Sequence, residues 1–133
     1  MAEHIPAPVH DGDSRVFWEG VAQGKLLIQR CDACQQFVFY PRYLCPQCFS
    51  EALSWVEAQG TGTIYSYTVV HRAYGPFAGQ TPFVVAIVEL AEGVRMMTRI
   101  AGAEPSSVRI GARVRVTFVA VDEGVTLPYF QLA

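Results

Sequence analysis

The clearest chemistry in this 133-residue chain lies in four cysteines. Cys31-Asp32-Ala33-Cys34 and, after ten intervening residues, Cys45-Pro46-Gln47-Cys48 form two Cys-x-x-Cys knuckles. Two residues between sulfurs let one tight turn present both thiolates to a single ion, and two such turns complete a tetrahedron around zinc with no position left for water or substrate. The spacing therefore predicts a structural site built from Cys31, Cys34, Cys45 and Cys48. Such a site matters here because a segment of about thirty residues has almost no core of its own, whereas structural zinc contributes roughly 10–16 kcal/mol in small finger peptides.

Three other readings of the same thiols stay open. Disulfides are disfavoured in a reducing compartment, a thiol redox pair lacks its strand-to-helix setting, and iron is the nearest rival. Rubredoxins hold iron with four thiolates and a Cys-Pro-x-Cys second knuckle, but usually place Gly after each knuckle, where this chain has Gln35 and Phe49.

Catalytic candidates are sparse. His4 and His10 fall in an N-terminal arm, and His71 ends a strand just before Arg72, Tyr74 and Phe77. That loop is a place to meet a ligand; the plain alternative is a strand-end histidine bonded to backbone. No glycine-rich phosphate loop, serine elbow or carboxylate pair stands out, so the sequence nominates no nucleophile. Arg95, Arg99, Arg113 and Arg115 are expected on one outer sheet face, as phosphate clamps or as ordinary solvated charge. Tyr65, Tyr67, Tyr74 and Phe77 suit either stacking on a ring or barrel packing.

The elements that must position these residues are mostly strands. Pro6 and Pro8 mark an extended arm, after which Asp13 or Ser14 caps a helix running through Phe17, Trp18 and Val21 to about Gly24. Its aromatic side chains pack on this domain or dock on a partner. Short β pieces at 26–29 and 37–40 carry the first knuckle, and a third follows at 54–57. Five further strands are expected at 63–71, 83–90, 94–100, 112–121 and 126–132, with one short helix over 104–110 opened by Pro105. Five strands with a helix after the third match the order of an OB-fold barrel. The fold class is thus mainly β: an N-terminal arm and helix (1–24), a small zinc ribbon (25–58) and a five-stranded OB-fold barrel (59–133). Alternation makes Val94, Met96, Thr98 and Ile100 core-facing, whereas the unbroken apolar run Phe83 to Val88 predicts a strand covered on both faces, either by the zinc module or by another chain.

Composition sets the outer bounds. With 51% hydrophobic and 17% charged residues the chain is no disordered segment. No uninterrupted apolar stretch reaches the length of a membrane span, and the acidic N-terminus lacks the pattern of a signal peptide, which together suggest a cytoplasmic protein. A net charge of -2 weakens a nucleic-acid reading, although nine of the ten basic residues are Arg.

The segment LLIQRCDACQQFVFYPRYLCPQC, the stretch GTGTIYSY followed by TVVHR, and PFVVAIVEL appear in an order that resembles one family. It is the OB-fold, acyl-CoA-associated family with an N-terminal rubredoxin-like zinc ribbon, and the likeness runs from about Phe17 to Phe130. The resemblance implies a small non-catalytic subunit that binds a thiolase-fold enzyme and helps it hold or pass acyl-CoA thioesters, with coenzyme A shared with that partner and the reaction left to it. It carries over the four cysteines as zinc ligands and points to Tyr40, Arg42, His71, Arg72, Tyr74 and Phe77 as candidate ligand-binding residues. The competing class is a single-stranded nucleic-acid-binding module, since a zinc ribbon with an OB barrel also suits that task.

Overall fold

Spacing of apolar residues at two or at three to four positions decides the elements of this computed structural model, which describes residues 7–9, 11–122 and 124–133. Helix α1 (Arg15–Ala22) exists to bury Phe17, Gly20 and Val21, which fall on one face at helical spacing. Its start differs from the simple cap expected. Ser14 is the N-cap residue but makes no side-chain bond to the helix; its hydroxyl donates to Asp11 Oδ1 at 2.8 Å, and its N–H donates to the same oxygen at 2.8 Å. The helix ends at Ala22, and Gly24, at φ 77°, turns the chain while Lys25 N–H donates to Gly20 carbonyl at 2.8 Å. Phe17 and Val21 point into the chain's own core. His4 and His10 lie outside the described residues.

Strands β1 (Leu27–Cys31), β2 (Phe37–Val38) and β3 (Leu53–Glu57) form an antiparallel sheet in the order β2-β1-β3. Five longer strands follow: β4 (Thr61–Val70), β5 (Phe83–Leu90), β6 (Arg95–Ile100), β7 (Arg113–Asp122) and β8 (Val125–Leu132). They close as β4-β5-β6-β8-β7, with β7 returning to β4 and β6 meeting β8 in parallel, which is the OB-fold order. Ile64, Val84, Val88, Val114 and Phe130 fill the interior, and the same cluster takes in Phe17, Val21, Leu26 and Ile28 from the helix and ribbon. Gly62 is fixed by close approach, because a Cβ there would strike the Glu89 carbonyl and Val88 Cγ1 across the β4–β5 pair.

One expectation fails, and a second is met in part within this chain. Residues 104–110 make only a 3-10 turn, Pro105–Ser107, because the chain is already extended at Val108, which is buried in the core. Within this chain β5 is buried on one face and half-covered on the other: Val84, Ala86, Val88 and Leu90 are buried, and Phe83, Val85 and Ile87 between them are half-buried. An unbroken run of β-branched residues reflects strand preference as much as two-sided burial. Among the described residues, no helix is long and apolar enough to cross a membrane.

Candidate metal centre and neighbouring clefts

The two knuckles fold as near copies of one another. Cys31 N–H donates to Gln36 carbonyl (2.9 Å) and Gln35 N–H returns to Cys31 carbonyl (2.7 Å); Cys45 with Ser50 and Phe49 with Cys45 repeat the pair, both at 2.9 Å. In each turn the residue after the second cysteine adopts a left-handed conformation, Gln35 at φ 67° and Phe49 at φ 62°. This is the place where glycine is easiest, so the two departures from the rubredoxin pattern are conformational loads that the turns carry without it.

All four Sγ atoms lie within 4.8 Å of one another. Cys31 and Cys48 sulfurs are 3.5 Å apart, and those of Cys34 and Cys45 3.6 Å. A tetrahedron with zinc–sulfur bonds of about 2.3 Å has edges of about 3.8 Å, so the cage has the right size. Its electrostatics agree. The Cys34 N–H, 3.5 Å from Cys31 Sγ, is the chief cause that lowers the Cys31 thiol to about 7. Cys34 gains an N–H from Gln36 that acts downward, yet burial and the Cys45 sulfur push it up to about 12. Thiols packed this tightly hold all their charges only around a shared cation. Cys31, Cys34, Cys45 and Cys48 would hold zinc, which when bound supplies a cross-link between the two turns.

Sequence reasoning missed the residue that locks the second knuckle to the sheet. Gln29, buried on β1, donates through Nε2 to the Arg42 carbonyl (2.8 Å) and accepts the Arg42 N–H at Oε1 (2.7 Å). One amide thus satisfies both backbone groups of the incoming loop; a buried glutamine in a strand that leads into a cysteine is the available signal.

The six candidate ligand residues divide into two groups. Tyr40 lines an apolar trough of about 510 Å³ with Phe17, Trp18, Met97, Leu127 and Tyr129. Arg42 lines a neighbouring cleft of about 460 Å³ between the second knuckle and the turn at Glu92 and Gly93. His71, Arg72 and Tyr74 are exposed in the loop after β4, and Phe77 packs on Phe83 with ring centroids 6.3 Å apart. Neither trough nor cleft takes in any of those four. The outer arginines of β6 are already engaged: Arg95 lies 3.7 Å over the Tyr65 ring and 3.3 Å from Glu89, and Arg99 lies 4.3 Å over Phe83.

A four-thiolate ribbon joined through one core to a closed OB barrel defines a class of two-module β protein. Family models for the ChsH2 rubredoxin-like zinc ribbon domain and the ChsH2 C-terminal OB-fold domain match residues 18–54 and 55–119. A DUF35 domain-containing scaffold protein of Methanocaldococcus jannaschii is 35% identical over 80% of this chain and 77% of its own length. The chain belongs to this DUF35, ChsH2-type family of zinc ribbon and OB-fold proteins. It is 41% identical over 96% of its length to the "Probable enoyl-CoA hydratase alpha subunit" of Thermomonospora curvata, but spans only 40% of that protein. Benzoylsuccinyl-CoA thiolase subunit BbsA of Thauera aromatica is 30% identical over 66% of this chain and 59% of its own. Among solved structures, a chain of the Ltp2-ChsH2(DUF35) aldolase superposes with a TM-score of 0.86 at 40% identity, over 94% of this chain and 98% of that one.

Proposed function

We propose that this chain is a non-catalytic accessory subunit that binds a thiolase-fold enzyme and assists it in binding or transferring acyl-CoA thioesters. The observation that carries the reading is the surface of the second knuckle. Tyr43 and Phe49 are 68% and 73% exposed on a turn fixed by thiolates and by the Gln29 clamp, with Leu44 beside them. Large apolar groups held rigidly in water suit a protein interface, where such side chains contribute most of the binding energy. Support also comes from the relatives, one a thiolase subunit and another part of an aldolase assembly. The structural zinc keeps this surface in shape, and the cytoplasmic setting inferred from the reduced thiols belongs to the same proposal.

Arg95 is paired with Glu89 and stacked on Tyr65, and the chain carries a net charge of -2, which disfavours the single-strand-binding reading. Co-expression with a thiolase-fold enzyme tests the reading. The wild-type chain is expected to co-purify in a fixed ratio, and Phe49→Glu to be lost from the complex with its zinc content unchanged. Elution of the wild-type chain alone as a monomer contradicts the proposal.

A further inference from the structure

The seam between β6 and β8 holds a second kind of site. The two strands are paired at Ile100 and Phe130, where Ala101 N–H also reaches the Phe130 carbonyl at 2.7 Å. Two residues earlier on β8, Pro128 has no N–H to give, and the Thr98 hydroxyl crosses instead to the Pro128 carbonyl at 3.0 Å. The outer faces of the strands part there. The apolar trough of about 510 Å³ opens on one side of Tyr129, and a cleft of about 330 Å³, lined by Gln80, Phe83, Arg99 and Val119, opens on the other. Tyr129 is a wall of both.

Arg99 and Arg95 share the outer face of β6 and are held differently. Arg95 has Glu89 for a counter-charge. Arg99 is half-buried and has no carboxylate partner among the described residues; it is stacked over Phe83, lies 5.8 Å from the Tyr129 ring centroid, and donates through Nη1 to Gln80 Oε1. Two faces of contact fix the fork without neutralising it. A fork immobilised in advance loses little freedom when it takes an anion, and its planar donors match phosphate oxygens.

We propose that this seam binds the acyl-CoA thioester directly, its apolar arm in the trough beside Met97 and a phosphate group on Arg99. The four strand steps from Arg95 at the trough's rim to Arg99 span about 13 Å, so the ligand is an extended amphiphile and not a small anion. The inference rests on the acyl-CoA reading above and gives it a location. Gln80 acts as a positioning residue, and through Phe77 on Phe83 the loop after β4 reaches the same site.

Calorimetric titration of the zinc-loaded full chain, without any partner, compares octanoyl-CoA with octanoyl-pantetheine, which keeps the apolar arm and lacks the nucleotide phosphates. Octanoyl-CoA is expected to bind at least about tenfold more tightly, and Arg99→Met to erase that preference while leaving octanoyl-pantetheine binding unchanged. An equal preference in wild type and Arg99→Met, or no preference in wild type, overturns the proposal. Should Arg99→Met fail to fold, Gln80→Ala keeps the charge but frees the fork and is expected to weaken octanoyl-CoA alone; a folded Gln80→Ala chain with wild-type affinity overturns it equally. Absence of the preference in the wild-type chain, with the partner still co-purifying, removes the seam proposal only; a wild-type preference without co-purification removes only the accessory-subunit reading.

Discussion

The ribbon and the barrel solve the same problem, holding a short chain in one shape, by different physics. Around the knuckles the buried cluster is Cys31, Val38 and Cys45, so two of its three members belong to the four-thiolate cage. The barrel cluster instead interleaves Ile64, Val84, Val88, Val114 and Phe130 from all but one of its strands, with Met96 and Ile100 supplying β6. Sulfur and metal do in the first region what aliphatic burial does in the second. The contrast teaches where each region is vulnerable, and also how a region with so small a core can hold Tyr43, Leu44 and Phe49 out in solvent.

Removing one ligand breaks the comparison most sharply. Cys45→Ser is expected to abolish stoichiometric zinc and to expose the amides of residues 31–52 to rapid hydrogen exchange, while β4 to β8 stay protected. Simultaneous loss of protection in the barrel would show that the two regions are one cooperative unit. Phe130→Ala attacks the other side. Its ring is fully buried, so the change should cost about 3–5 kcal/mol in denaturant unfolding with zinc still bound.

The smallest effect concerns the helix that joins the two. Ser14 donates to the Asp11 carboxylate from both its hydroxyl and its N–H and holds that group below its ordinary value. A carboxyl depressed in the folded state adds stability that is full above its unfolded pKa, about 3.9, and is lost as pH falls through the folded value. Asp11→Asn should therefore lower the melting temperature slightly at neutral pH and flatten the part of the pH–stability curve below about 4 that this group controls.

Much of this division is legible in the residues. Cys-x-x-Cys spacing located all four thiolates because two turns and one ion leave little geometric freedom, and strict alternation at Met96, Thr98 and Ile100 separated inside from outside on β6. The barrel and ribbon strands alike fell within two residues of their expected bounds, the second ribbon strand ending at Val38, short of the expected Tyr40. What alternation and spacing do not carry is long-range. Phe83, Val85 and Ile87 look like core and stand half-buried outside, since local sequence cannot tell strand preference from burial. The Gln29 clamp links positions 13 apart, and the trough depends on Pro128 lying beside Thr98, a pairing that exists only once the barrel closes. For the same reason Tyr40 joined a cleft while His71, Arg72 and Tyr74, adjacent in sequence to promising strands, remained on an exposed loop.

The division of labour proposed for this subunit is tested most directly by a thiolysis assay of three samples: the chain alone, its thiolase-fold partner alone, and the reconstituted pair. The account predicts no turnover by the chain alone and greater turnover by the pair than by the partner alone, with Phe49→Glu abolishing the gain. Turnover by the zinc-loaded chain alone, or equal rates for the partner with and without it, would contradict the account.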